Sequence, residues 1–286
     1  MKDYIIYTDS SCDLSREELR KRGVGCLELT FRFDGEAEEY ANYDMPIGSF
    51  YQKMREGGVA KTAAVNSEAF KTAFEEAIKG GLDVLYIGFS SGLSTTCNSA
   101  RIAMTELKEQ YPDARLIVVD TLAASAGIAL LIDMVLVEKA KGATIEEAAQ
   151  FAENNKMKIA HRFTVDDLIY LKRGGRVSSA TAIVGNLLGI KPILHVDNEG
   201  HLVSVGKVRG RHASLVSLAD KLGETAIEGT RVYISHSDCY NDAVKLAEII
   251  MSKYGYEVQL ITDVGPVIGA HSGPGTMALF FVASER

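Results

Sequence analysis

The stretch VLYIGFSSGLSTTCNSARIAM, residues 84–104, decides the fold. It opens as an apolar run of strand length, passes through the hydroxyl-rich turn SSGLSTT, and continues at helical spacing through NSARIAM. A buried strand feeding a helix through a short turn is the building unit of a parallel sheet. DYIIYTD (3–9) and ARLIVVD (114–120) read as strands of the same kind, and CLELTFRF (26–33) as a further one. Helices are expected between them. Ser15 and Glu18 form a capping box, with Leu14 and Leu19 as its hydrophobic staple and Gly23 as the stop. From Ser67, residues Phe70, Ala73, Phe74, Ala77 and Ile78 fall on one helical face, with Gly80 beyond. Residues 121–141 read as a largely buried helix, and another follows the capping box Thr144/Glu147. The expectation is a three-layer α/β domain with a mainly parallel sheet over residues 1–158.

Near residue 156 the pattern changes. KPILHVDNEGHLVSVGKV (191–208) is two alternating runs around "NEG", the pattern of a β-hairpin. A helix (212–223), the strand RVYISHS (231–237), a helix ending at Tyr254–Gly255, the strand EVQLITDV (257–264) and the strand MALFFVA (277–283) complete the chain. This predicts a two-layer α+β domain over 159–286.

The totals exclude several classes of function. The 286 residues carry a formal net charge of −7, which disfavours a general nucleic-acid binder. Cys12, Cys26, Cys97 and Cys239 are scattered without a C-x-x-C pair, so neither a disulfide framework nor a metal site is suggested. No signal-peptide pattern opens the sequence and no apolar run approaches the ~18 residues of a membrane span. A cytoplasmic protein without a cofactor is expected.

Three strands end in polar clusters: Thr8-Asp9-Ser10-Ser11, Ser90-Ser91-Gly92-Leu93-Ser94-Thr95 and Asp120-Thr121. Ligands of open parallel sheets bind at the carboxyl ends of strands, and an anion is the natural guest at the head of a helix. The 90–95 turn lacks the lysine of a P-loop, so a singly charged carboxylate fits better than a nucleotide triphosphate. A competing reading takes Gly88-Phe89-Ser90-Ser91-Gly92 as a G-x-S-x-G nucleophile elbow, with Asp263 and His271 completing a hydrolase triad. Few strands precede it, and no HGGG-like oxyanion segment does. Two later stretches stand out. YLKRGGRVSSATAIVGNLLGIKPIL (170–194) sets Lys172, Arg173 and Arg176 before a nearly uncharged run. GPVIGAHSGPGTMAL (265–279) reads as a glycine-rich loop around His271, the histidine best placed for a site.

Together with YTDSSCDL, the Lys61-Thr62 pair, FSSGLSTT and VVDTLAASAG, these stretches resemble the DegV family, the fatty-acid-binding proteins that serve bacterial fatty acid kinases. The similarity runs through almost the whole chain. It implies an acyl chain buried between the two domains. It also implies a carboxyl group held by Thr62, Ser91, His271 and an arginine of R-G-G-R, Arg176 in preference to Arg173. Ser90, Gly92, Ser94, Thr95 and Gly273 are then expected near the headgroup. Ile183, Val184, Leu187, Leu188 and Ile190 are expected along the tail. The resemblance further implies a separate ATP-dependent kinase subunit that forms an acyl phosphate for phospholipid synthesis. The chain itself would be a carrier and not an enzyme. The basic segment Lys207-Val208-Arg209-Gly210-Arg211 is a candidate docking point for that partner. The chain departs from the family pattern at Ala63-Ala64-Val65-Asn66, Thr95 and Thr121, which bears on the shape of the pocket near the headgroup.

Overall fold

The computed structural model describes residues 3–177 and 189–286. Strands β1 (Tyr4–Asp9), β2 (Val24–Leu27), β6 (Asp83–Gly88) and β7 (Leu116–Asp120) form a parallel sheet in the order β2-β1-β6-β7. Every residue of β6 is buried, as an apolar run at the centre of such a sheet requires. Helices α3 (Ser67–Lys79) and α4 (Thr96–Gln110) pack on one face, and α5 (Ala126–Ala140) and α6 (Ile145–Asn155) on the other. The caps read from the sequence are present. Ser15 accepts from the Glu18 amide ahead of α1 (Arg16–Arg22), Gly23 closes that helix at φ 63°, and Thr144/Glu147 make a reciprocal capping box before α6.

The second sheet begins at Ile159. It is mixed, in the order β10-β9-β8-β13-β11-β12, from β8 (Ile159–Thr164), β9 (Ile190–Val196), β10 (Leu202–Arg209), β11 (Val232–His236), β12 (Leu260–Asp263) and β13 (Met277–Val282). Helices α8 (Arg211–Thr225) and α9 (Tyr240–Tyr254) cover one face over a core of Leu215, Leu218, Leu246, Ile250 and their neighbours. The opposite face receives α5, which is also packed on the first sheet. Ile128, Leu130, Leu131, Ile132 and Val135 of that helix are fully buried, so one core runs through both sheets.

Two expectations are corrected. CLELTFRF is not one strand: its first part belongs to β2, and Thr30–Phe33 is β3 of a separate antiparallel sheet, β4-β3-β5, with β4 (Tyr40–Ala41) and β5 (Ala60–Ala63). This small sheet and α2 (Ile47–Arg55) enclose a core of Phe31, Phe33, Phe50, Tyr51 and Met54. The alternating pattern of 26–33 hides the break because Leu27, Leu29, Phe31 and Phe33 are all buried, in two different cores. The stretch 265–272 is likewise not a loop throughout, since Pro266–Ser272 forms the short helix α10 with proline in its first turn. A second short helix, α7 (Ile169–Arg173), precedes the Gly174-Gly175-Arg176 segment.

Candidate functional site

A cavity of about 460 Å³ lies between the two sheets, beyond the carboxyl ends of β6 and β7. Its size falls within the ~300–1,000 Å³ usual for small-ligand sites. Most of the wall is apolar, including Phe89, Leu93, Phe163, Val196, Leu202 and Phe280. The second sheet supplies much of it through aligned rows: Phe163 stands opposite Ala278, which stands opposite Ser235, while His161 faces Phe280.

The polar end gathers residues from distant segments. Thr62 lies on β5, opposite Phe31 of β3. The aromatic core under that strand packs on Ala270, which brings α10 alongside. Gly269 makes the approach possible, because a Cβ there would stand 2.3 Å from the Tyr51 hydroxyl. That hydroxyl donates to the Val264 carbonyl at 2.7 Å. His271 then meets Thr62, Nε2 to Oγ1 at 2.8 Å. Its Nδ1 is buried without a partner and lies against Gly174, where a Cβ would come within 2.2 Å. Burial, with Arg176 nearby, pulls the imidazole down to about 4, so it is neutral at physiological pH. Arg176 donates from Nε and Nη2 to the Leu93 carbonyl at 3.3 and 3.1 Å and from Nη1 to the Gly174 carbonyl. Among the described residues it has no carboxylate partner, and burial lowers its pKa. A half-buried guanidinium held, among the described residues, by carbonyls alone leaves its charge available for an anion.

The 90–95 turn contributes hydroxyls to the cavity wall, and most of its amides are bonded within the turn or to Asp120. The Ser91 amide donates to Asp120 at 3.2 Å, the Gly92 amide to Ser90 Oγ at 3.1 Å, and the Leu93 and Ser94 amides to the Ser90 carbonyl, both at 3.1 Å. The Thr96 amide donates to Ser94 Oγ. These five amides are satisfied within the turn and by Asp120, so the groups they leave toward the cavity are the side-chain hydroxyls of Ser91, Ser94 and Thr95. Ser91 and Thr95 are exposed on the cavity wall, which makes this end the mouth.

The hydrolase triad is not assembled. Ser90 is fully buried and donates to the Gly200 carbonyl at 2.9 Å, His271 is engaged with Thr62, and Asp263 faces His236 at 3.5 Å. Thr62, Ser91, Ser94, Thr95, Arg176 and His271 all line the cavity. Ser90, Gly92 and Gly273 stand behind its wall: Gly92 abuts Glu199 and Gly200, and Gly273 abuts Tyr170. Arg173 lies over the Tyr170 ring, away from the cavity. Of the expected tail residues, Ile190 sits in β9 off the wall, and Ile183, Val184, Leu187 and Leu188 lie outside the described residues. Sequence reading passed over His161, which is buried on the cavity wall against Gly127. Its neighbours in the alternating strand IAHRFT were the available signal. Among the described residues no group of side chains could hold a metal ion, and no helix is long and apolar enough to cross a membrane.

A family model described as "Uncharacterised protein, DegV family" matches residues 4–284. A DegV domain-containing protein of Clostridium perfringens is 43% identical, covering 100% of this chain and 99% of its own length. A fatty acid-binding protein of Thermotoga maritima is 33% identical over 98% of both. Among solved structures, a DegV lipid-binding protein of Thermotoga maritima superposes with a TM-score of 0.86 at 33% identity, covering 99% of each chain. A stearic acid-binding protein of Eubacterium ventriosum does so at 0.89 and 26%, covering 98% of each. Several DegV-family structures are thus fatty-acid-binding proteins, and on sequence and fold alike this chain belongs to the DegV family.

Proposed function

We propose that this protein binds a long-chain fatty acid in the cavity between its two sheets and offers the carboxyl group to an ATP-dependent kinase subunit for acyl phosphate formation. In this reading residues 1–158 supply Thr62 and Ser91, residues 159–286 supply Arg176 and His271, and the acyl chain lies between the two units. Phosphoryl transfer belongs to the partner, and the carrier works in the cytoplasm without a cofactor of its own. The observation that carries the reading is the half-buried Arg176, without an acidic partner among the described residues, beside neutral His271 at the mouth of an apolar cavity. The fatty acid-binding relatives support it.

The physics of such a ligand divides the labour. A sixteen-carbon acid removes about fourteen methylenes from water, roughly 11 kcal/mol of gross driving force at ~0.8 kcal/mol each. Association and chain ordering take back several kcal/mol. The headgroup contacts exchange good hydration for equivalent hydrogen bonds, so they orient the lipid more than they hold it. A carrier must leave the carboxylate oxygen free for an incoming phosphoryl group, and exposed hydroxyls at the mouth suit that task.

Organic extraction of the protein purified from a bacterial host should release a fatty acid in near-equimolar amount by mass spectrometry. The double variant Thr62→Val/Ser91→Ala should keep the fold and retain lipid but lower acyl phosphate formation by about tenfold or more, the loss of two oriented hydrogen bonds. Full phosphorylation of the double variant would remove these residues from the headgroup site.

A further inference from the structure

The strongest chemistry outside the cavity lies on the other face of the second sheet. Side chains alternate along β8, so His161 and Phe163 face the cavity while Arg162 points the opposite way. Arg162 stands opposite His195 of β9. A groove of about 960 Å³ passes over this pair, between the β9–β10 hairpin and α8, with Lys207, His212 and Lys221 along it. Arg162 is only 6% exposed, yet among the described residues it forms no ion pair. Its Nη2 donates to the Arg286 carbonyl at 3.2 Å, and its Nε is buried without a partner. The Nδ1 of His195 is likewise buried and unpartnered.

Glu224 and Glu285 act on this guanidinium only from beyond ion-pair distance, so a charge this far out of water is incompletely neutralised, which is costly unless an anion completes it. The nearby acids make their direct contacts with lysines and a tyrosine. Asp220 pairs with Lys253 and accepts from the Tyr254 hydroxyl at 2.7 Å, while Glu224 and Glu285 reach Lys221 at 3.4 and 3.1 Å. Lys207 and His212 have no acidic partner among the described residues. Donors from β8, β9, β10 and α8 therefore line one groove. That arrangement suits a tetrahedral oxyanion with several acceptor oxygens better than a planar carboxylate. The groove also exceeds a bare ion in size, and Ile193, Val208, Val216 and the half-exposed Val205 give it an apolar wall.

We propose that this groove is a second binding site, which takes the phosphate group of a small phosphate monoester on Arg162, His195 and Lys207 with its organic part against Val205, Val208 and Val216. The site shares β8, β9 and β10 with the cavity wall but none of its lining residues. Burial and the adjacent Arg162 keep His195 below its ordinary pKa in the free protein, and a bound dianion reverses that influence.

The test is a titration of the full chain with phenyl phosphate, followed by calorimetry and by the ring signals of His195 in histidine-selective NMR, with palmitate present throughout to occupy the cavity. Saturable binding that moves the His195 signals is expected, weakened by about tenfold or more in His195→Leu/Lys207→Ala as two charge-assisted contacts are lost. Arg162→Met should abolish binding; because that change alters a buried residue, the double variant on the groove carries the decision. Phosphatidylcholine vesicles with and without phosphatidic acid form a second arm. Recruitment by phosphatidic acid that is lost in the double variant supports the same phosphate chemistry with a lipid headgroup as its source. Phenyl phosphate that leaves His195 unmoved while vesicles also fail to recruit the chain, or equal binding by the double variant, overturns the proposal.

Discussion

His271 shows how one residue is held in readiness by its surroundings. Thr62 takes one ring nitrogen, Gly174 leaves room for the other, and burial keeps the ring uncharged. Its folded pKa of about 4 lies below the ordinary 6.5. The neutral ring therefore contributes stability that is fully present above pH 6.5 and is lost as pH falls through about 4. For the ligand-free protein, acidification from pH 7 to pH 4 should lower the unfolding free energy by an amount on the order of 1–3 kcal/mol from this group. The loss should shrink in His271→Gln and when fatty acid is bound, since a carboxylate beside the ring favours its charged form. Chemical denaturation across that pH range checks both, and equal acid sensitivity of the parent and His271→Gln would refute the assignment.

At the scale of elements, the meeting of the 90–95 turn with the β9–β10 hairpin joins the two sheets. Ser90 donates to the Gly200 carbonyl, and a Cβ at Gly92 would stand 2.8 Å from the Glu199 carbonyl oxygen. Both close contacts are with backbone, which has little freedom to move aside. Gly92→Ala should destabilise by about 1–3 kcal/mol and displace the hairpin tip, read as a lower thermal midpoint with altered amide exchange at 197–201. Gly92, expected near the headgroup, sits in the joint between the turn and the hairpin, off the cavity wall. The strands and caps of the parallel sheet were legible because each is a local pattern: an apolar run, a capping pair, a glycine stop. The small β4-β3-β5 sheet was not, since β4 and β5 are short and Ala60–Ala63 carries no apolar alternation. Thr62 was suggested by resemblance alone, and the reason it meets His271 is visible only with the aromatic core beneath β5. Arg176 could not be separated from Arg173 by spacing; the turn at Gly174-Gly175 directs one to the cavity and leaves the other on Tyr170.

Across the whole molecule, Asp13 ties the two halves together. It is buried and accepts from the Gly265 amide at 2.9 Å, bonds to the Ser125 hydroxyl, and its carbonyl accepts from Thr262 at 2.7 Å. Burial raises its carboxyl from the ordinary range to about 8. A raised pKa reverses the usual carboxylate behaviour: the contribution to stability is fully present below about 3.8 and is lost as pH rises through about 8. Asp13→Asn, which keeps the shape and removes the titration, should flatten the decline in thermal midpoint between pH 5 and 9; an unaltered decline would show that another group sets it. The same joint has a second support in α5, whose buried length is shared by both sheets. Clam-shell separation would strip water-avoiding surface from both sides of that helix at once, a cost that opposes opening of the two halves. On the function proposed above, a lipid would slip in past the rim, with exchange governed by the side chains around the opening and the frame unmoved while its cargo changes.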